Sequence, residues 1–186
     1  MSDDSNDVFG LRGARALVVG GGAGIGRASA LLLARVGAHV AVADLDSDRA
    51  ATVRDEIVAL GATGVALAAD VVNEPGAIAM VDAAHEQLGG LDALINIVGV
   101  ASWSDLMNMS GDMWESDLRV NLTQHLFVGR AAARHMIADG VAGRIAIVTS
   151  ISGIYGAPNH AAYGAAKAGA AALARSMASV GPVATT

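Results

Sequence analysis

Tyr163 and Lys167 stand four residues apart, a spacing that on a helix brings a phenol and an ammonium to one face. A phenol ordinarily titrates near pH 10, so service as a base near neutrality requires a drop of roughly three units, about 4 kcal/mol. A neighbouring ammonium favours the phenolate and desolvation opposes it, so the charge has to prevail. The same spacing also describes an ordinary amphipathic surface pair. A second stretch able to do chemistry lies near the other end of the chain. Ala16–Val19 is a short apolar run that leads into Gly20, Gly21, Gly22 and Gly24, then Ile25 and Gly26. Glycine permits positive φ and close approach of a ligand to the main chain. The helix that follows offers unpaired N–H groups and a partial positive charge. Gly20, Gly22, Gly24, Ile25 and Gly26 are therefore candidates to hold a dinucleotide pyrophosphate, although a plain tight turn has the same composition. No Gly-Lys-Ser/Thr follows, which disfavours a nucleoside-triphosphate loop.

Asp44 falls eighteen residues after Gly26. A carboxylate there accepts hydrogen bonds from an adenosine ribose and repels a 2′-phosphate; the alternative is a helix cap in a βα loop. Leu45 and Asp46 bring no cation, so NAD is expected over NADP. Asp70, followed by Val71, either reaches the adenine edge or caps the next helix.

The elements that must position these residues alternate along the chain. Apolar runs at residues 16–19, 39–43, 64–68, 93–97 and 144–148 predict strands. Helical patterns cover residues 27–36, 47–60 and 74–88, closed by Gly37, Gly61 and Gly89. Ser110 is a plausible cap for a helix running towards Asn121, a further helix covers 123–138, and an alanine-rich one covers 160–178. Residues 101–109 read as a loop. Such alternation predicts an α/β fold of Rossmann type, a doubly wound parallel sheet with helices on both faces. Ligands of such sheets sit beyond the carboxyl ends of the strands, here Gly20, Asp44, Asp70, Gly99 and Ser150.

Composition narrows the function. Residues 1–9 read as an acidic tail and residues 10–186 as a single domain; the whole chain is 53% hydrophobic but only 3% aromatic, so the core must be aliphatic and alanine-rich. A net charge of −6 without a basic cluster argues against nucleic acid or an anionic membrane as partner. The absence of cysteine removes disulfide and thiolate chemistry. His39, His85, His125, His135 and His160 lack metal-ligand spacing, so no metal is expected. The acidic start is the reverse of a signal peptide, and the uncharged stretch 145–166 contains enough Ser, Thr, Asn, His and Pro to read as strand and loop. A soluble, cytoplasmic protein is expected.

Tyr163-Gly-Ala-Ala-Lys167, the glycine turn, Asp70-Val71, Asn96-Ile-Val-Gly99, Asn121 and Ser150 together resemble the short-chain dehydrogenase/reductase family with a single Rossmann-type domain. A Ser thirteen residues before the tyrosine, at a strand end, makes the set far more specific than the tyrosine and lysine alone. The resemblance implies an NAD-dependent oxidoreductase moving hydride between nicotinamide and a secondary alcohol or ketone. It implies Tyr163 as general acid/base, assisted by Lys167 and the positive nicotinamide ring. Ser150 would orient the substrate oxygen, Lys167 would also hold the nicotinamide ribose, and Asn121 would support a proton-relaying water. Leu45, Val71, Asn96 and Gly99 join the cofactor candidates. A homodimer or homotetramer through the helices at 123–138 and 160–178 is implied as well.

Several residues depart from the family pattern. Val19 stands in place of a threonine, and Ile97 and Val98 replace Asn-Ala behind the adenosine. The stretch Gly181-Pro-Val183-Ala-Thr185 resembles the loop whose threonine reaches the nicotinamide carboxamide, with Val180 in place of a proline. The sixth strand that should precede it is missing, so the chain is expected to omit residues of a longer protein. Substrate wall residues are expected at Ser152, Ile154, Tyr155, Asn159 and His160, faced by Trp103, Met107 and Met109. Two other functions stay open: a catalytically silent NAD-binding scaffold, and an NADP-dependent acyl-carrier ketoreductase, which Asp44 opposes.

Overall fold

The computed structural model describes residue 7 and residues 9–179; Val180, Val183 and Thr185 lie outside this range. Five parallel strands, β1 (Arg15–Val19), β2 (His39–Asp44), β3 (Gly64–Ala68), β4 (Ala93–Asn96) and β5 (Arg144–Ile147), form one sheet in the order β3-β2-β1-β4-β5. All neighbouring pairs are parallel, with Leu17 opposite Ala41 on one side and Leu94 on the other. Each strand lies within one residue of its sequence-based bounds.

The strands form where they do because their side chains are apolar on both faces. Leu17 and Val19 pack with Val81, Val128 and Met136 of one helical layer. Val18, Val40 and Val42 pack with Leu31, Val53 and Ile57 of the other. The two-residue period of a strand divides neighbours between the layers in this way. Complete burial of each such side chain stabilises the fold by about 1.5–3 kcal/mol.

The first layer holds α3 (Glu74–Leu88), α5 (Gln124–Ala138) and α6 (Ala161–Met177); the second holds α1 (Gly24–Arg35) and α2 (Ser47–Ala59). Side chains close the exposed helix starts. Asp46 accepts from the N–H groups of Asp48 and Arg49 at α2, and Asn73 accepts from Gly76 at α3. Ser110 accepts from Met113 at α4 (Gly111–Leu118), as its position suggests. Asn73 thus takes the capping role considered for Asp70, whose carboxylate instead accepts from the N–H of Val72 at 3.0 Å.

The break expected between Asn121 and Thr123 is absent. A π-helical stretch, Arg119–Thr123, joins α4 to α5 without interruption. Single π turns inside helices re-aim side chains and are frequent at functional positions. Here Asn121 is fully buried.

Candidate active site

Strand order reverses about β1 and β4, so the crevice beyond their carboxyl ends is the place where a ligand would be held. A cleft of about 580 Å³ opens there, lined among others by Val19, Gly20, Asp44, Leu45, Asp70, Val71 and Gly99. The turn after β1 is shaped for close approach. Gly20 has φ +79 and Gly24 φ +54, a region that disfavours residues with a Cβ. A Cβ on Gly22 would fall 2.6 Å from Asp44 Oδ2, and one on Gly26 would collide with the Gly20 carbonyl oxygen. Gly22 N–H donates to Asp44 Oδ2 at 2.8 Å, which ties the turn to the end of β2. Asp44 Oδ1 accepts from Asp46 N–H at 3.1 Å. Val98 lies against Gly20, and Val98 and Ile97 both line the cleft. The residues present fit a dinucleotide: a glycine cradle, a carboxylate at the end of β2 beside it, and an apolar floor.

Tyr163 and Lys167 both stand on α6, and the lysine reaches Gly99 after β4 and Val148 after β5. Lys167 is 3% exposed, and its ammonium donates to the Val148 carbonyl at 2.9 Å. It lies 5.8 Å from the centre of the Tyr163 ring. Burial lowers its pKa from the ordinary lysine value. Among the described residues it forms no ion pair.

Gly99 is the floor on which this ammonium rests. A Cβ there would meet Lys167 Nζ at 2.8 Å and Asn121 Oδ1 at 2.9 Å. The Asn121 carboxamide pairs with both main-chain groups of Val100: Oδ1 accepts at 2.9 Å and Nδ2 donates at 3.0 Å. Nδ2 also donates to Asp117 Oδ1 at 2.7 Å, and Ser102 bonds the other carboxylate oxygen. Asp117 and Ser102 were not singled out in the sequence. The four-residue spacing of Asp117 and Asn121 is a helical signal that could have found Asp117; nothing local marks Ser102.

A buried polar group under the site was also missed. Asn96 donates to Gln124 Oε1 at 2.9 Å, and Gln124 donates to the carbonyls of Val98 and Val120. His125 Nδ1 lies 3.2 Å from Gln124 Nε2, while its Nε2 has no partner among the described residues. Burial, with the Lys167 charge adding to it, pushes the His125 pKa down to about 3, so the ring stays neutral at working pH.

Ser150 lies three residues beyond β5 and accepts from Ser152 N–H at 3.2 Å, capping a short 3₁₀ turn. Ser152 Oγ lies 3.2 Å from His160 Nδ1. The His160 ring in turn sits 5.3 Å from that of Tyr163 and 3.9 Å from that of Trp103. A parallel bridge between Ser104 and His160 binds the two loops together, and Asn159 beside it has φ +59. Ser152, His160 and Trp103 are thus gathered beside Tyr163. Ile154, Tyr155 and Met107 are largely exposed, and Met109 lines a different cleft with Asp112 and Met113.

One cation near Asp44 escaped the sequence reading. Arg49, in the first turn of α2, lines the same cleft. Sequence neighbours of Asp44 alone did not reveal it, because the strand-to-helix turn folds it back. Among the described residues no helix is long and apolar enough to cross a membrane, and no cluster suited to a metal ion occurs.

Residues 14–181 match the family described as short chain dehydrogenase. L-rhamnose 1-dehydrogenase (NAD(P)(+)) of Azotobacter vinelandii is 34% identical over 171 residues, which cover 89% of this chain and 67% of that protein. A hydroxyacyl-CoA dehydrogenase of Mycobacterium tuberculosis is 40% identical over 180 residues, 90% of this chain and 56% of its own length. Among solved structures, 7α-hydroxysteroid dehydrogenase complexed with NADH and 7-oxo glycochenodeoxycholic acid matches with a TM-score of 0.86 and 32% identity, over 90% of this chain and 66% of that one. NAD⁺-bound xylitol dehydrogenase matches with a TM-score of 0.85 and 30% identity, over 92% of this chain and 67% of that one. The chain therefore spans no more than 67% of the length of any of these four proteins.

Proposed function

The chain belongs to the short-chain dehydrogenase family, and we propose that within it the protein is an NAD-dependent oxidoreductase interconverting a secondary alcohol and a ketone. The observation that carries this reading is the Lys167 ammonium, buried with no ion pair among the described residues and 5.8 Å from the Tyr163 ring centre. A buried cation lowers stability unless something compensates, and such groups concentrate at functional sites. Here it faces the phenol that would otherwise be too weak a base.

Tyr163 takes the hydroxyl proton of the alcohol as its carbon loses hydride, or returns that proton in the reverse direction. The coenzyme, when bound, supplies the hydride acceptor or donor. Ser150 donates to the substrate oxygen and fixes its orientation. Lys167 favours the phenolate by its charge and holds the nicotinamide ribose. Asn121, its carboxamide committed to Val100 and Asp117, holds the Gly99 loop beside Lys167 and supports the proton-relaying water.

Gly20, Gly22, Gly24, Ile25 and Gly26 hold the pyrophosphate, and Asp44 with Leu45 takes the adenosine ribose, which favours NAD. Asp70 and Val71 border the adenine, while Asn96 shapes the floor beneath Gly99. Ser152 and His160, covered by Trp103, form the substrate wall: a hydroxyl, an imidazole and an indole side by side suit a substrate with both polar and apolar parts. Tyr155 stands at its rim. A cytosolic homodimer or homotetramer through α5 and α6 accompanies this reading, and a monomer in light scattering would refute that part.

The test follows NADH formation by the protein with sugars, polyols, hydroxyacyl thioesters and hydroxysteroids. Turnover of at least one class is expected. A protein that binds NAD⁺ and turns over none of them would be a nucleotide-holding scaffold instead.

A further inference from the structure

The cleft that takes the adenosine end of the coenzyme in the reading above has, among the described residues that line it, one cation, Arg49. Its Cβ lies so near the glycine turn that a methyl on Gly22 would come within 2.7 Å of it. Arg49 therefore flanks the same ribose position as Asp44. Its guanidinium is turned to another partner: Nε pairs with Asp46 Oδ2 at 2.9 Å, with the two side chains 60% and 40% exposed. The other oxygen of Asp46 accepts from the N–H groups of Asp48 and Arg49 at 3.0 and 3.1 Å. These contacts, the Arg49 N–H foremost, hold the Asp46 carboxyl below the usual carboxylate range, so it stays charged.

We propose that Asp46 is a second determinant of coenzyme choice: by pairing with Arg49 it withholds that cation from a 2′-phosphate and reinforces the exclusion exerted by Asp44. The inference rests on a dinucleotide occupying this cleft. A 2′-phosphate is best met by a guanidinium, which offers paired donors as well as charge. To reach one, Arg49 has to leave Asp46, exchanging one exposed ion pair for another. With Asp44 lining the cleft and Asp46 paired to Arg49, the phosphate meets net negative charge. Removing Asp44 alone leaves Arg49 still neutralised, so it weakens NAD without conferring NADP. Removing the charge of Asp46 frees the cation.

The test is calorimetric binding of NAD⁺ and NADP⁺ to the wild type, Asp46→Asn, Asp44→Ala, the double variant, and Asp46→Asn combined with Arg49→Gln. Asparagine caps a helix as well as aspartate does, so α2 should keep its start, which circular dichroism checks. Asp46→Asn is expected to tighten NADP⁺ by about threefold to tenfold and to leave NAD⁺ within about twofold, in line with the modest strength of exposed pairs. Adding Asp44→Ala should tighten NADP⁺ by more than the product of the single effects, since the two sites share one ligand group. Arg49→Gln should cancel the gain. Unchanged NADP⁺ affinity in Asp46→Asn with normal NAD⁺ binding, or a gain that survives Arg49→Gln, overturns the inference alone. Failure of every variant and the wild type to bind either coenzyme overturns the reading of the cleft as well.

Discussion

Gly99→Ala perturbs the candidate site at one atom. The backbone there is not in the left-handed region, so an alanine introduces no conformational strain and its effect is purely steric. The new methyl would stand 2.8 Å from Lys167 Nζ and 2.9 Å from Asn121 Oδ1, so each must retreat by about half an ångström to reach ordinary contact. Neither retreats freely. Asn121 Oδ1 is held by Val100 N–H at 2.9 Å, and Lys167 can move only by stretching its 2.9 Å bond to the Val148 carbonyl. Overpacking of this kind costs about 1–3 kcal/mol of stability. Displacing a catalytic group by about 1 Å costs about 10²-fold in rate, so a half-ångström shift is expected to lower turnover by about tenfold or more. The assay compares turnover at saturating alcohol and NAD⁺ with thermal stability for both proteins. Turnover within about twofold of wild type, at an unchanged Tm, would show that Gly99 does not seat the lysine and asparagine.

Lys167→Met should abolish turnover yet raise stability by about 1–2 kcal/mol, because a buried ammonium with no ion pair among the described residues is replaced by an apolar side chain of similar length; a less stable variant in chemical denaturation would contradict this. Since burial lowers the Lys167 pKa below 10.5, the unfolded chain keeps that proton to higher pH, and wild-type stability gains from this residue as pH rises towards 10.5, a gain the methionine variant lacks. His125→Leu tests the acid side. With a folded pKa of about 3 against 6.5 when unfolded, His125 leaves stability complete above about pH 6.5 and erodes it as pH falls towards 3, by up to about 1.4 kcal/mol per pH unit. The leucine variant should lose stability less steeply between pH 6 and pH 4, about the middle of that window, and equal slopes in denaturant titrations would refute the assignment.

What was legible from sequence was whatever local chemistry determines. The apolar runs at β1 and β2 announce strands buried on both faces, and the glycines after Val19 announce a turn into a helix. The polar residues at the strand ends followed from topology, because a parallel sheet brings Gly20, Asp44 and Gly99 to one edge. The failures have equally definite causes. The π turn at Arg119–Thr123 continues the helix with a wider ring, and no hydrophobic period marks it, so Asn121 read as a helix end. Gln124 and His125 sit in an otherwise ordinary helix, and only the packing of Asn96 and Lys167 against them shows that they are buried. Arg49 was overlooked because reach across a strand-to-helix turn is not adjacency in sequence. The contact of His160 with Trp103 depends on a bridge between two segments far apart in the chain.

Proton transfer by Tyr163 is the claim on which the rest depends, and Tyr163→Phe isolates it by removing only the hydroxyl. Turnover of a substrate accepted by the wild type should fall by at least about 10²-fold, the usual contribution of a positioned acid or base, while NAD⁺ affinity in calorimetry stays within about threefold. A phenylalanine variant that reduces NAD⁺ at the wild-type rate would contradict the account.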